Sequence, residues 1–154
     1  MAPGPCAAGG RWRNNDQVLT YAAECHADPD TVWRLVARPD RWSRWAPHLS
    51  GARGLGRPEV RTGARGFALL RGGVPVPARI TAKQAQRSWT WQVGPVLLCH
   101  RVRATPDGCR VATDIEAPLG LERLICVTYG PLVALLMANL ARVAAGEARS
   151  HRAR

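Results

Sequence analysis

The residue best suited to acid–base chemistry is a histidine in the second half of the chain. His100 lies two residues from both Leu98 and Val102, so it shares the apolar face of a predicted strand. An imidazole, with an unperturbed pKa of about 6.5, can act as a general acid or base near neutrality. A histidine satisfied by a backbone carbonyl near a strand end would show the same pattern, so both interpretations remain open.

Two hydroxyl groups share the apolar faces of other predicted strands. Tyr21 alternates with polar residues in the first strand, and Thr113 lies between Val111 and Ile115. Either hydroxyl could donate a hydrogen bond to a substrate carbonyl. Alternatively, Tyr21 reaches solvent or backbone, and Thr113 is present because threonine is a good strand residue.

Four tryptophans are candidates for contact with a flat ligand. Trp89 and Trp91 lie two residues apart on one strand, where they can stack on an aromatic or polycyclic molecule, with filling of the core as the equal alternative. Trp42 and Trp45 lie three residues apart on one face of a short helix. We expect this second pair to fill one end of the core rather than to contact a ligand.

The spacing of apolar residues, together with Asp and Pro at element ends, predicts the first elements that position these residues. Alternation from Val18 to Cys25 predicts a strand, and Asp28-Pro29-Asp30 predicts the capped start of a short helix that ends before Pro39. Residues 39–47 restart with proline and predict one or two further helical turns. The chain therefore opens with a strand and two short helices.

The spacing of apolar residues changes in the middle of the chain and again near its end. Between Leu49 and Glu116, glycines, prolines and short alternating runs predict a meander of antiparallel strands, including two within residues 49–70 whose register the pattern does not define. Asp114 and Glu116 fall on the outward side and are expected on a solvated face. After Pro118, apolar residues recur at helical spacing, and Gly130-Pro131 must interrupt or kink that helix.

Length and composition favour one domain. The chain has 154 residues, of which 46% are hydrophobic, so we expect a single domain over residues 17–148. Residues 1–16, rich in Ala, Gly and Pro, predict a disordered lead-in, and residues 149–154 predict a basic tail. The longest apolar run, Leu132–Ala141, is shorter than the roughly 20 residues that cross a bilayer, so no membrane insertion is expected.

The charge and the cysteines indicate which partners to expect. The formal charge is +11, from 22 Lys and Arg against 11 Asp and Glu, but the arginines are scattered and favour a solvated basic surface over a nucleic-acid footprint. Five cysteines without short paired spacing predict free thiols, and the histidines lack metal-ligand spacing. We therefore expect a cytoplasmic protein with no metal, no cofactor and no nucleic-acid partner.

Three segments resemble one known family. The segments DPDTVWRLVARPDRWSRWAPH (28–48), HRVRATPDGCRVATDIE (100–116) and YGPLVALLMANLARVAA (129–145) are similar, in that order, to the opening, the hairpin and the last helix of the polyketide cyclase/dehydrase group of the SRPBCC superfamily. The resemblance implies an α+β helix-grip fold, in which a curved antiparallel sheet wraps a long C-terminal helix and encloses a cavity.

The resemblance also implies site residues. Aromatase/cyclases of this kind have a cavity tryptophan, a strand arginine and an asparagine on the last helix, which correspond here to Trp42, Arg71 and Asn139. Leu69 replaces the serine expected before the arginine, which weakens a direct transfer of mechanism. The rarity of buried arginines favours an exposed loop position for Arg71, near Gly72-Gly73. Asn139 needs a hydrogen-bond partner, either a ligand, a backbone carbonyl or water.

Two functions are compatible with these features. The first is an enzyme of secondary metabolism that binds a hydrophobic, polyketide-like molecule and promotes its cyclisation or dehydration, with His100, Tyr21 and Arg71 converging on the cavity. The second is a non-catalytic carrier or sensor of a hydrophobic metabolite or lipid, which predicts an almost wholly apolar lining. The sequence does not decide between a monomer and a homodimer.

Overall fold

A seven-stranded antiparallel sheet forms the body of the protein. In the computed structural model, which describes residues 18–118 and 120–154, the strands run in the spatial order β1-β7-β6-β5-β4-β3-β2. Their bounds are β1 Val18–Cys25, β2 Leu49–Arg53, β3 Arg65–Leu70, β4 Pro75–Gln84, β5 Ser88–Val93, β6 Val96–Thr105 and β7 Gly108–Glu116. The predicted meander is confirmed, whereas the predicted lead-in lies outside the described residues.

Two short helical segments follow β1, as predicted. Helix α1 (Pro29–Ala37) is capped by Asp28, whose carboxylate accepts a hydrogen bond from the backbone N–H of Thr31 at 3.0 Å. A 3₁₀ turn (Pro39–Arg41) leads into α2 (Trp42–Trp45). The two α2 tryptophans donate their indole N–H groups to the last carbonyls of α1, each at 2.9 Å, and so satisfy acceptors that the helix end leaves unpaired.

The segment that joins β2 to β3 is anchored on α1. The backbone N–H of Val60 donates to the carbonyl of Ala37 at 2.9 Å. Glu59 accepts from the indole of Trp33 at 3.1 Å and pairs with Lys83 at 2.7 Å. A register irregularity between Leu49 and Gly51 interrupts the pairing of β2 with β3, which is why the sequence pattern did not define it.

The C-terminal region forms two helices, α3 (Glu122–Thr128) and α4 (Gly130–Arg152). Pro131 lies in the first turn of α4, where a missing N–H costs nothing, so the predicted interruption is the start of a new helix. Val133, Leu140 and Ala144 form its buried stripe, and the helix packs on β1 and α1. Together, the curved sheet and α4 make the predicted helix-grip fold.

Helix α4 is also long and apolar enough to cross a bilayer, which is true of no other helix among the described residues. Its buried stripe packs against the sheet, and the core helices of soluble proteins commonly have the same length and composition. The helix is therefore weak evidence for a membrane span.

Two expectations about individual residues are wrong. Asp114 is only 9% exposed, because it accepts from Thr20 at 2.7 Å and pairs with Arg101 at 2.7 Å on the outer side of the sheet. Cys25 and Cys109 are free thiols, but Cys99 is disulfide-bonded. Neither the ion pair that covers Asp114 nor the disulfide of Cys99 can be read from the alternation of a single strand.

Candidate functional site

A cavity of about 300 Å³ lies between the inner face of the sheet, α2 and α4. Strands β2 to β7 supply its sheet side, and α4 closes it with Val133, Leu136 and Met137. Lining residues near the turns of β3 to β6, such as Leu70, are half-buried, whereas those under α2 are buried. Its volume is at the lower end of the range for small-molecule pockets, and its lining is mostly apolar and aromatic.

His100 is the most buried ionisable group in the lining. The strand pairing places it directly between Trp89 of β5 and Thr113 of β7. Its Nδ1 lies 2.9 Å from Thr113 Oγ1, and that hydroxyl donates in turn to Met137 Sδ at 3.3 Å. A hydroxyl has one hydrogen to donate, so we assign Thr113 Oγ1 as the donor to Met137 Sδ and as the acceptor from His100 Nδ1–H.

This arrangement defines the state of the imidazole. With the proton on Nδ1, the neutral His100 ring carries a lone pair on Nε2. Burial lowers the pKa of His100 to about 4, although the carboxylate of Asp114 partly offsets this effect. At neutral pH His100 is therefore uncharged, and it can accept a proton or a hydrogen bond through Nε2.

Three tryptophans form a cluster beside His100. Trp42 and Trp89 stack with ring centroids 5.7 Å apart and planes 6° apart, and Trp91 is tilted against both. The imidazole of His100 lies 4.5 Å from the Trp89 ring, centroid to centroid. The indole nitrogens of Trp89 and Trp91 are buried and have no hydrogen-bond partner. These rings give one wall of the cavity flat aromatic surfaces.

The structure thus brings five of the eight predicted site residues to the cavity. They are His100, Thr113, Trp42, Trp89 and Trp91. Trp45 also lines it. The alternation of the strands accounts for the position of four of the five, whereas Trp42 reaches the cavity from α2.

The other three predicted site residues lie elsewhere. Tyr21 is half-buried on β1 and packs against Gly130 at the start of α4. Arg71 is exposed in the turn after β3, and its backbone N–H donates to the carbonyl of His48 at 2.8 Å. Asn139 donates from Nδ2 to the carbonyl of Trp45 at 2.7 Å and accepts from Arg142 at 2.5 Å. None of the three lines the cavity.

Two polar residues line the cavity that the sequence patterns did not single out. His48 follows α2, and burial lowers its pKa while leaving Nδ1 without a partner. Tyr129 lies between α3 and α4, and burial raises the pKa of its phenol. Both lie in connections between elements, where no periodic pattern indicates which way a side chain points. Across residues 18–118 and 120–154, no group of three or more His, Cys, Asp or Glu could hold a metal ion.

Solved structures with this fold come from several sources. Protein NE0264 from Nitrosomonas europaea matches with a TM-score of 0.68 and 15% identity over 84% of this chain and 95% of its own. Protein MLL2253 from Mesorhizobium loti matches with a TM-score of 0.68 and 11% identity over 82% of this chain and 96% of its own. At these identities the likeness shows the fold alone.

A third structure is DynU16, a protein in the dynemicin biosynthetic locus. It matches with a TM-score of 0.64 and 18% identity over 82% of this chain, which spans 46% of DynU16. The comparison with curated proteins gave no match. The family described as polyketide cyclase/dehydrase and lipid transport matches residues 16–146, which include every strand and most of α4. With the fold and the cavity described above, this match shows that the chain belongs to the polyketide cyclase/dehydrase and lipid transport family of the SRPBCC superfamily.

Proposed function

We propose that the protein binds a flat, hydrophobic, polyketide-like molecule in its cavity and promotes cyclisation or dehydration of that molecule with His100 as the base. The observation that carries the proposal is the hydrogen-bond chain from His100 through Thr113 to Met137, which leaves Nε2 as a lone pair in an apolar cavity. Family membership and the aromatic wall support the class of ligand.

A dehydration step can be written with this one base. His100 Nε2 removes a proton from the carbon next to a substrate carbonyl, and the electron pair of the broken C–H bond forms a C=C bond. The hydroxyl group on the neighbouring carbon leaves with the proton that Nε2 returns to it, so one molecule of water is released. In a cyclisation, the same proton removal generates the enolate that attacks a second carbonyl.

The cavity wall contributes positioning and exclusion of water. Trp42, Trp89 and Trp91 line the cavity, and a substrate ring held against this aromatic wall keeps its reacting carbon at a constant distance from His100. The low pKa of His100 disfavours a lasting imidazolium, so the proton must return quickly to the substrate. This property suits a step that ends with loss of water.

A second function, as a carrier or sensor without chemistry, is favoured by one specific observation. Tyr21, Arg71 and Asn139 lie away from the cavity, so His100 has few polar side chains around it. A mostly apolar lining of this kind suits reversible storage of a hydrophobic metabolite.

The experiment compares binding with turnover in the same variants. The probe is a bicyclic β-hydroxy ketone whose dehydration yields a naphthol, with binding followed by quenching of tryptophan fluorescence and turnover by absorbance of the product. We expect the wild-type protein to do both, and His100→Gln to bind the probe within about threefold while losing turnover by about 10²-fold or more. Ala68→Phe, which fills the cavity from β3, should lose both.

The outcomes separate the two functions. Binding by the wild type and His100→Gln with turnover by neither supports the carrier and rejects the enzyme. Equal turnover by the wild type and His100→Gln removes His100 from the mechanism. Absence of binding to the wild type, together with absence of a co-purifying ligand in native mass spectrometry, rejects both functions.

A further inference from the structure

The half of the sheet that contains β3 to β6 carries an excess of positive charge. Between Glu59 and Asp107 the chain has eight Lys and Arg residues and no Asp or Glu. In the described parts of the chain, salt bridges engage only two of these eight cations, Lys83 with Glu59 and Arg101 with Asp114. The positive charge of this half is therefore mostly uncompensated within the protein.

Two of these arginines oppose each other directly. Arg65 of β3 pairs in register with Arg79 of β4, and both are exposed. Like charges directly opposite on neighbouring strands destabilise a sheet, because their side chains leave the backbone about 5 Å apart. The only hydrogen bond described for the Arg79 side chain goes to the neutral amide of Gln92, at 3.4 Å. An anion bound on this surface would relieve the repulsion.

A comparable arginine pair on the same sheet is neutralised. Arg103 of β6 lies opposite Arg110 of β7, but Arg110 forms an ion pair with Glu24 at 3.1 Å. Within residues 18–118 and 120–154, no acid forms a salt bridge with the pair on β3 and β4.

Apolar residues lie among the uncompensated arginines. Phe67 is 45% exposed, and the register places it between Arg53 of β2 and Pro77 of β4. Because Ala68 lines the cavity, its neighbour Phe67 projects from the opposite, outer side of the sheet. We call the surface formed by Arg53, Arg65, Phe67, Pro77 and Arg79 the basic face.

We propose that the basic face docks an acidic protein partner. Protein interfaces typically have an apolar centre with a polar rim, and they are enriched in phenylalanine and arginine. Guanidinium groups bind carboxylates in a paired geometry, so Asp and Glu side chains of a partner would match Arg65 and Arg79. A surface for single-stranded nucleic acid needs several aromatic rings for successive bases, whereas this face has one aromatic ring, that of Phe67.

The basic face and the cavity occupy opposite sides of the same strands. Outward residues of β3 form the face, and the intervening inward residues line the cavity. Docking can therefore be tested without altering the lining, and the proposal does not depend on whether the cavity supports catalysis.

The test uses three fluorescently labelled probes on the full chain at low salt, read by anisotropy. The first is a helical peptide with Asp and Glu on both sides of a leucine stripe, the second has serine in place of the leucines, and the third is single-stranded DNA of equal charge. The face variant combines Arg53→Gln, Arg65→Gln and Arg79→Gln. Its matched control combines Arg149→Gln, Arg152→Gln and Arg154→Gln, which removes the same charge at the C-terminal end.

We expect the leucine-containing acidic peptide to bind best. The face variant should weaken its binding about tenfold or more, the control less than about threefold, and Phe67→Ser about fivefold. Equal losses in the face and control variants would show attraction to net charge alone and would overturn the proposal. Tighter binding of DNA would assign the surface to nucleic acid instead, and no peptide binding to the folded wild type would also reject it. Thermal melting confirms that each variant is folded.

Discussion

His100 Nδ1 lies 2.9 Å from Thr113 Oγ1, and Thr113 uses its single hydroxyl hydrogen on Met137 Sδ. With the hydrogen bonds assigned in this direction, a contact to a residue of α4 favours the proton of a strand histidine on Nδ1. Thr113 and Met137 are 24 residues apart in sequence, and they meet because α4 packs against the curved sheet. The chemistry available at Nε2 depends on that contact.

The first prediction concerns the tautomer of His100. Replacing Met137 with leucine keeps the volume but removes the sulfur acceptor, so Thr113 Oγ1–H is free to donate to His100 Nδ1. We expect the wild type to hold the proton on Nδ1 and Met137→Leu to increase the Nε2–H form. Nitrogen-15 NMR of the imidazole measures the two populations. The same tautomer in both proteins would contradict the assigned direction of the hydrogen bonds.

The second prediction concerns pH. The pKa of His100 is about 4 in the folded protein and about 6.5 when unfolded, so between these values the unfolded chain binds the proton more readily. The free energy of unfolding should therefore fall as the pH drops from about 6.5 to about 4, by up to about 3 kcal/mol from this group. Urea titrations at several pH values measure the effect.

Two variants isolate the contribution of His100 to that pH dependence. His100→Gln should flatten the dependence between pH 6.5 and 4, because it removes the buried titrating group. His48→Gln should leave most of the dependence in place, since His48 is only half-buried whereas His100 is buried. If both variants keep the wild-type slope, burial of His100 is not its source.

The third prediction separates packing from hydrogen bonding in the tryptophan stack. Trp42 and Trp89 stack on one another, but only Trp42 has a partner for its indole N–H, the carbonyl of Val36 at 2.9 Å. Trp42→Phe leaves that buried carbonyl unpaired, so it should cost about 1–3 kcal/mol more than Trp89→Phe. Urea unfolding of both variants measures the difference. Equal losses would mean that ring packing alone accounts for both residues.

The spacing of apolar residues in each segment is sufficient to predict the helices, the strands and most of the cavity wall. Alternation correctly placed His100, Thr113 and Trp89 on one inner face, because a strand allows only two directions for a side chain. The capped start of α1 at Asp28 was equally local, since the cap and its acceptor are three residues apart. Local rules work where the controlling contact is close in sequence.

Residues in turns and helix connections were not predictable in the same way. Arg71 lies just past the end of β3, where the strand's alternation no longer applies, and its side chain is exposed. His48 and Tyr129 reach the cavity from connections whose direction depends on how α2 and α4 pack. Asn139 shares the buried side of α4 but meets a backbone carbonyl of α2, an alternative that the sequence left open.

The fourth prediction assigns Asn139 a structural role. Its Nδ2 donates at 2.7 Å to the carbonyl of Trp45, so it joins α4 to the end of α2 without lining the cavity. Asn139→Leu should lower the free energy of unfolding by about 1–2 kcal/mol, because that carbonyl loses its donor, and should change binding of the bicyclic ketone less than about threefold. Arg142→Gln, which removes the exposed partner of Asn139, should cost less than about 0.5 kcal/mol. A loss of ketone binding in Asn139→Leu much larger than threefold, at unchanged stability, would place this amide in contact with the ligand instead.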